Sequence, residues 1–290
     1  MEISMIGMLF VMGSLVSHQL ETMLVKQYGD KYGKGGMFFN AIICIFAMIY
    51  FFISDTDGLN FSGKIWIYGI VNSTMYATGF YAAYVAYKSG SFGLTKLFTS
   101  FGVVVTTFYG IIFLGEPTTI FTYIAIGMIL ISLGLMNYQK QDSGNQKMSF
   151  VWILCVILVI VSNAAITIIG KMQHGAYGDT YNNEFLIISL FGAAVSLFIL
   201  GAIFERNSFK PTIKNGLLYG AGAGVLNGIN NLLVLVTYNY LPISFTSPVK
   251  AGLGIVLSFV VSLLLYREKF TRRQLISVVI GIGAVILMNV

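Results

Sequence analysis

The segment "EPTTIFTYIAIGMILISLGLMN" (116–137) decides the fold, because a second version of it ends the chain as "EKFTRRQLISVVIGIGAVILMN" (268–289). When the two are aligned without a gap, Glu116 meets Glu268 and both segments end in Leu-Met-Asn. Each is an apolar run of about 20 residues after a polar start, which is the length that a helix needs to cross the hydrocarbon core of a membrane. The sequence therefore repeats a membrane-spanning helix.

An earlier pair of segments repeats in the same way. The stretch "SHQLETMLVK" (17–26) aligns with "SNAAITIIGK" (162–171), so that Lys26 meets Lys171. The two alignments have similar offsets, which predicts a duplicated chain. Its halves would be residues 1–139 and 149–290, and residues 140–148 would form a polar linker.

The composition is typical of a membrane protein, since 57% of the 290 residues are hydrophobic and 10% are charged. Apolar windows long enough to span a bilayer fall near 3–25, 36–54, 64–87, 92–114, 117–137, 149–171, 183–204, 214–240, 243–265 and 270–289. We therefore expect an all-α, multi-pass integral membrane protein of the cell membrane, with ten transmembrane helices. Five helices in each half would make the halves two inverted five-helix repeats, an arrangement found in secondary transporters.

Several classes of protein are disfavoured. The net charge of +6 is spread over short loops, so no nucleic-acid surface is expected. Nucleotide, zinc and serine-nucleophile motifs are missing from the sequence, which predicts neither a cofactor, nor a metal site, nor an enzyme. An intramembrane enzyme stays open as an alternative, because His18 and Glu21 lie one turn apart in helix 1.

Two lysines interrupt apolar spans at nearly equivalent places in the two halves. Lys96 lies in "GLTKLFTSFGVVVTTFYGIIFL" (93–114) and Lys250 in "SFTSPVKAGLGIVLSFVVSLLL" (244–265). A charged side chain at membrane depth is costly and indicates a functional site, unless its long stem reaches the interface. We predict that the pair faces a central cavity and contacts an anionic or zwitterionic substrate.

Helix 1 carries a candidate proton site. His18 and Glu21 are one turn apart, with Ser14 one turn earlier. Histidine titrates near neutral pH, so His18 or Glu21 is the predicted carrier of a coupling proton; an ion pair of Glu21 with a lysine is the alternative.

Neutral polar residues also occur inside the predicted spans. Asn72 and Tyr76 lie one turn apart in helix 3, and Asn227 and Asn231 lie one turn apart in helix 8. We expect them to bind substrate, although bonding between helices would explain the asparagines equally well. Helix 8 also has glycines spaced by four, which predicts close helix packing; they are Gly216, Gly220, Gly224 and Gly228.

Ten helices in two five-helix repeats, with an acidic residue in "FLGEPTT" (113–119) and "LYREKFT" (265–271), resemble the drug/metabolite transporter superfamily, in particular its EamA-type exporters. The resemblance covers the whole chain and implies transport without ATP. The motifs "TYNNEF" (180–185) and "SPVKAG" (247–252) are similar to paired motifs of nucleotide-sugar transporters. That likeness implies that Asn182 and Asn183 bind substrate with Lys250.

The expected function is alternating-access secondary transport of a small polar metabolite, anionic or zwitterionic, with protons as a possible coupling ion in a monomer or homodimer. A cationic or aromatic substrate in an aromatic-lined cavity is the alternative. Thirteen lysines and arginines follow odd-numbered helices and two follow even-numbered ones, so the positive-inside rule puts both termini outside. The family resemblance implies termini in the cytoplasm.

Overall fold

The structure is a computed structural model that describes residues 4–33, 36–55, 58–61, 63–89, 95, 98–137, 149–264 and 271–288. Within these ranges all regular elements are helices and no strand occurs. The ten α-helices are α1 Met5–Tyr32, α2 Met37–Ser54, α3 Ile65–Ser89, α4 Gly102–Phe113, α5 Ile120–Asn137, α6 Phe150–Tyr177, α7 Asn182–Phe204, α8 Phe209–Thr237, α9 Ile243–Leu264 and α10 Arg272–Leu287. A 3₁₀-helix, Arg206–Ser208, precedes α8.

Each predicted window overlaps one of these α-helices. Six helices in the described ranges are long and apolar enough to cross a membrane: α1, α2, α6, α7, α8 and α9. The apolar helices α4 and α5 are shorter. The predicted linker, residues 140–148, lies outside the described residues.

Helices α1 and α6 both continue past the predicted ends of their windows. Each has 28 residues, and both ends of α6 are displaced by 145 residues from those of α1. Packing holds the added turns, which are too polar to count in an apolar window. In α1 the ring of Tyr28 stacks on that of Phe39, with 4.0 Å between centroids, and in α6 Gln173 is fully buried. Tertiary contacts therefore extend both helices.

Two compact units divide the chain, and each draws on both halves of the sequence. The first unit consists of Leu9–Tyr81 and Ile169–Asn239, and α2 packs in it against α7 and α8. The second unit consists of Met1–Met8, Ala82–Ile168 and Tyr240–Val290. In it α5 packs against α10, and α9 packs against α4.

Glycine spacing sets the approach of α8 to its neighbours in the first unit. A Cβ at Gly220 would lie 2.6 Å from Ile42, and one at Gly224 would lie 2.6 Å from the carbonyl oxygen of Ile43. Real side chains do not approach so closely, so α2 and α8 pack backbone to backbone. The predicted small-residue face of helix 8 is confirmed.

Acidic side chains join α2 and α7 at both ends. Glu205, after α7, accepts a hydrogen bond from the backbone N–H of Met37 at the start of α2, at 2.7 Å. Asp55, after α2, accepts one from Asn183 Nδ2 at the start of α7, at 3.1 Å. The two helices therefore run antiparallel.

The second unit has a similar contact. Glu116, after α4, accepts hydrogen bonds from the N–H groups of Ile243 and Ser244 at the start of α9, at 2.9 and 2.8 Å. A carboxylate there satisfies two N–H groups that a helix start leaves unpaired and complements the helix dipole. Glu268, its sequence counterpart, lies outside the described residues.

Candidate functional site

A cavity of about 250 Å³ lies within the first unit, where five of its helices converge. Helices α1, α2, α3, α7 and α8 contribute its walls. The lining residues are Glu21, Thr22, Val25, Asn40, Ile43, Cys44, Tyr76, Phe80, Leu190 and Asn227. The structure thus brings Glu21, Tyr76 and Asn227, three of the predicted site residues, to one place.

A chain of hydrogen bonds orients the polar groups. Glu21 Oε1 accepts a hydrogen bond from Asn227 Nδ2 at 3.0 Å, and Asn227 Oδ1 accepts one from Asn231 Nδ2 at 2.9 Å. His18 Nδ1 lies 3.3 Å from Glu21 Oε2. Glu21 is thereby linked to α8 on one side and to His18 on the other.

Burial differs sharply along this chain. The Glu21 side chain is 12% exposed and that of His18 is 60% exposed. Ser14 is fully buried and donates to the carbonyl oxygen of Val11, so it takes no part in the network. The contact between His18 and Glu21 is confirmed, whereas the Ser14 hydroxyl is satisfied within its own helix, two turns before Glu21.

The cavity offers a compact set of groups for a small solute. Glu21 supplies carboxylate oxygens, Asn227 an amide, and Tyr76 a hydroxyl group on an aromatic ring. Phe80 and Tyr76, one turn apart on α3, add aromatic surface. A few fixed polar groups against an apolar wall are typical of small-molecule sites.

Asn40 lines the cavity from α2 but is not among the predicted site residues. Its Nδ2 donates to the carbonyl oxygen of Gly36 at 3.0 Å, which leaves the amide oxygen without a described partner. The sequence does mark this residue as unusual, because Asn40 interrupts the apolar run "MFFNAIICIF" (37–46) in the same way that Asn72 interrupts helix 3.

Three other predicted asparagines lie elsewhere in the first unit. Asn72 is buried and donates to Ser189 Oγ at 3.1 Å, so it joins α3 to α7. Asn182 donates to Asp179 Oδ1 and Asn183 to Asp55 Oδ1. Both Asn182 and Asn183 line a separate cavity of about 640 Å³ at the helix ends.

One buried histidine is not among the predicted site residues. His174, in the last turn of α6, is 6% exposed, and its Nε2 lies 2.9 Å from Asn239 Oδ1. Asn239 Nδ2 donates to Asp179 Oδ2 at 2.7 Å, and His174 Nδ1 lies 3.8 Å from Asp179 Oδ1. This network joins the ends of α6 and α8 to the turn before α7. No periodicity in the sequence signals it.

The predicted lysine pair is only half described. Lys96 lies outside the described residues, so its placement stays a prediction. Lys250 is partly buried in α9, in the second unit, two residues after Pro248 inside the helix. Among the described residues its ammonium group has no hydrogen-bond or ion-pair partner.

Comparisons with known proteins identify the family of the chain. The sequence profile of a family described as sugar transport protein matches residues 21–290. A Bacillus cereus protein named as a candidate sugar uptake protein is 25% identical over 277 residues, covering 91% of this chain and 92% of the relative. A Bacillus anthracis protein with a similar name matches to the same extent.

Two further matches say less about function. The quaternary ammonium compound-resistance protein QacC of Staphylococcus aureus is 28% identical over 102 residues, covering 33% of this chain and 88% of that protein. A solved crystal structure superposes with a TM-score of 0.76 at 11% identity, covering 97% of this chain and 98% of that one. At that identity the likeness concerns the fold. The chain belongs to the sugar transport protein family, and it is a multi-pass transporter of the cell membrane, similar to the drug/metabolite transporters.

Proposed function

We propose that the protein is a secondary active transporter of a sugar, and that the sugar binds in the 250 Å³ cavity between Glu21, Tyr76 and Asn227. The observation that carries the proposal is the hydrogen bond from Asn227 to Glu21 inside that cavity, at 3.0 Å. Sugar hydroxyl groups both donate and accept, so a carboxylate beside an amide matches neighbouring hydroxyls. The aromatic rings of Tyr76 and Phe80 suit the apolar face of a sugar ring.

The volume favours a small solute. Cavities for drug-sized ligands begin at about 300 Å³, so a cavity of about 250 Å³ suits a single sugar ring better. Its described lining contains one carboxylate and no lysine or arginine. A neutral sugar therefore fits this cavity better than the anionic metabolite expected from the lysines. Lys250 does not line this cavity. It would contact an anionic group only if the substrate were a sugar acid that passed Lys250 on the transport path.

Alternating access between two inverted repeats is the proposed mechanism, in a fold like that of the EamA-type proteins. Equal lengths of α1 and α6, and the antiparallel pairing of α2 with α7, support it. Reciprocal contacts at Ser132 and Ser277 add to that support, because a two-fold axis produces such pairs. Proton coupling would use Glu21 or His18, since protonation of Glu21 removes an acceptor from the network.

A cationic substrate is the second candidate. QacC is named for resistance to quaternary ammonium compounds, and the cavity pairs the Glu21 carboxylate with two aromatic rings. Such a combination attracts organic cations. The match to QacC covers a third of the chain, whereas the sugar transport profile covers nearly all of it, so a sugar ranks first.

Counterflow in proteoliposomes separates these candidates. Vesicles containing the purified protein and an unlabelled sugar should accumulate the same labelled sugar transiently, which requires a carrier. Labelled tetraethylammonium serves as the competing probe, and Asp30→Asn, an exposed change on α1 outside the cavity, serves as the control variant. If the cation accumulates and neither pentoses nor hexoses do, the substrate is a cation and the sugar proposal is wrong.

A further inference from the structure

A third cavity, at the turn between α7 and α8, combines aromatic and cationic side chains. It has a volume of about 470 Å³ and is bordered by Phe38, Phe198, Phe209, Arg206 and Lys210. The three phenylalanine rings contact one another, with centroids 5.1–5.7 Å apart. Phe198 is 47% exposed, so the cluster presents an aromatic surface at the outside of the helices.

Two basic side chains lie beside this cluster. Arg206 and Lys210 are exposed, and neither has an ion-pair partner among the described residues. The neighbouring carboxylate, Glu205, accepts a hydrogen bond from the N–H of Met37 at 2.7 Å and forms no ion pair with Arg206 or Lys210. Two cationic groups at the end of an apolar cleft therefore remain available to an anion.

We propose that this cavity binds an anionic phospholipid, with the phosphate between Arg206 and Lys210 and an acyl chain along Phe198. A lipid is favoured over a soluble phosphate because the cations and the exposed aromatic surface border the same cleft. The turn between α7 and α8 also follows an odd-numbered helix, and the loops after such helices hold thirteen lysines and arginines in the sequence, so the positive-inside rule predicts that this turn faces the cytoplasmic leaflet. That leaflet carries the anionic lipids that attract basic side chains.

The test uses the full-length protein in detergent and native mass spectrometry of lipid retention. Phosphatidylglycerol and phosphatidylcholine with the same acyl chains are titrated against the parent and an Arg206→Gln/Lys210→Gln variant. Each basic side chain near an anionic surface contributes roughly fivefold to affinity, so the variant should bind phosphatidylglycerol roughly thirtyfold more weakly. Phosphatidylcholine should bind weakly to both.

A matched control removes the same charge elsewhere. Arg272 and Arg273 are exposed in the first turn of α10 and also follow an odd-numbered helix. Arg272→Gln/Arg273→Gln should keep the parent affinity, and Phe198→Ala should weaken retention of the lipid. An unfolding curve without lipid checks that each variant folds.

Three results would overturn the proposal. Equal loss of phosphatidylglycerol in both double variants would indicate diffuse surface attraction. Equal retention of phosphatidylcholine would indicate contact with the acyl chains alone. Competition by soluble glycerol phosphate at the affinity of the lipid, with Phe198→Ala unchanged, would indicate a site for soluble phosphate.

Discussion

Ser132 and Ser277 exchange hydrogen bonds across the contact between α5 and α10. Ser132 Oγ donates to the carbonyl oxygen of Ser277 at 2.7 Å, and Ser277 Oγ donates to the carbonyl oxygen of Ser132, also at 2.7 Å. Both side chains are fully buried. Each helix satisfies a polar group of the other, so this pair joins the ends of the two sequence halves.

A disulfide would report this contact. The two Oγ atoms are 3.2 Å apart, so Ser132→Cys/Ser277→Cys should oxidise within one chain in a background that lacks Cys44 and Cys155. Gel mobility before and after reduction is the readout. Ser132→Cys with Ile276→Cys is the control, because Ile276 is 52% exposed and should not cross-link. Equal cross-linking in both variants would contradict the packing of α5 on α10.

The glycine face of α8 predicts a strong effect of one methyl group. Gly224→Ala would place a Cβ 2.6 Å from the Ile43 carbonyl oxygen, so α2 and α8 would have to separate. We expect loss of at least about 1–3 kcal/mol in the free energy of unfolding, as for other overpacked contacts, and loss of transport.

Gly134→Ala is the matched control for that change, because a Cβ added at this position would have no neighbouring atom within 4 Å. It should leave the protein equally stable or more stable, since alanine favours helix over glycine by about 1 kcal/mol. Thermal unfolding in detergent measures both variants. An unfolding midpoint for Gly224→Ala at or above that of Gly134→Ala would refute close packing at this position.

Glu116 should stabilise the second unit through the start of α9. Glu116→Ala leaves the N–H groups of Ile243 and Ser244 without their acceptor, at a cost of about 1–3 kcal/mol in the free energy of unfolding. Thermal unfolding is the measurement, and Asp30→Ala, which changes an exposed carboxylate on α1, should have little effect. Equal unfolding midpoints for Glu116→Ala and Asp30→Ala would mean that Glu116 does not cap α9.

Sequence patterns predicted the helices better than their arrangement. Each apolar window overlaps a helix, and six of the described helices have the length and apolarity of a span, which the thickness of the bilayer sets. The same patterns could not separate Asn227, which lines the 250 Å³ cavity, from Asn72, which bonds to Ser189. Spacing along one helix reports a face, whereas the choice between cavity and helix contact depends on which helices pack together. The two compact units combine both halves, which no single span predicts.

Lys250 remains the predicted charge on the substrate path. Its side chain is partly buried without a described partner, so Lys250→Met should weaken binding of a sugar acid but not of a neutral sugar, while Lys250→Arg retains part of the affinity for the acid. Methionine keeps the long stem and removes the charge. If Lys250→Met binds the sugar acid as tightly as the parent protein does, the lysine only reaches the membrane interface.

Concentration dependence of labelled-sugar counterflow in Glu21→Gln, Asn227→Leu and the double variant tests the binding cavity most directly. Because the carboxylate and the amide are 3.0 Å apart, each single change should raise the half-saturating sugar concentration about tenfold or more. The double variant should lose less than the product of the two, since the groups act together. Asn163→Leu, which alters an exposed asparagine of α6 outside the cavity, should match the parent. Half-saturation at the parent concentration in both Glu21→Gln and Asn227→Leu would contradict sugar binding in this cavity.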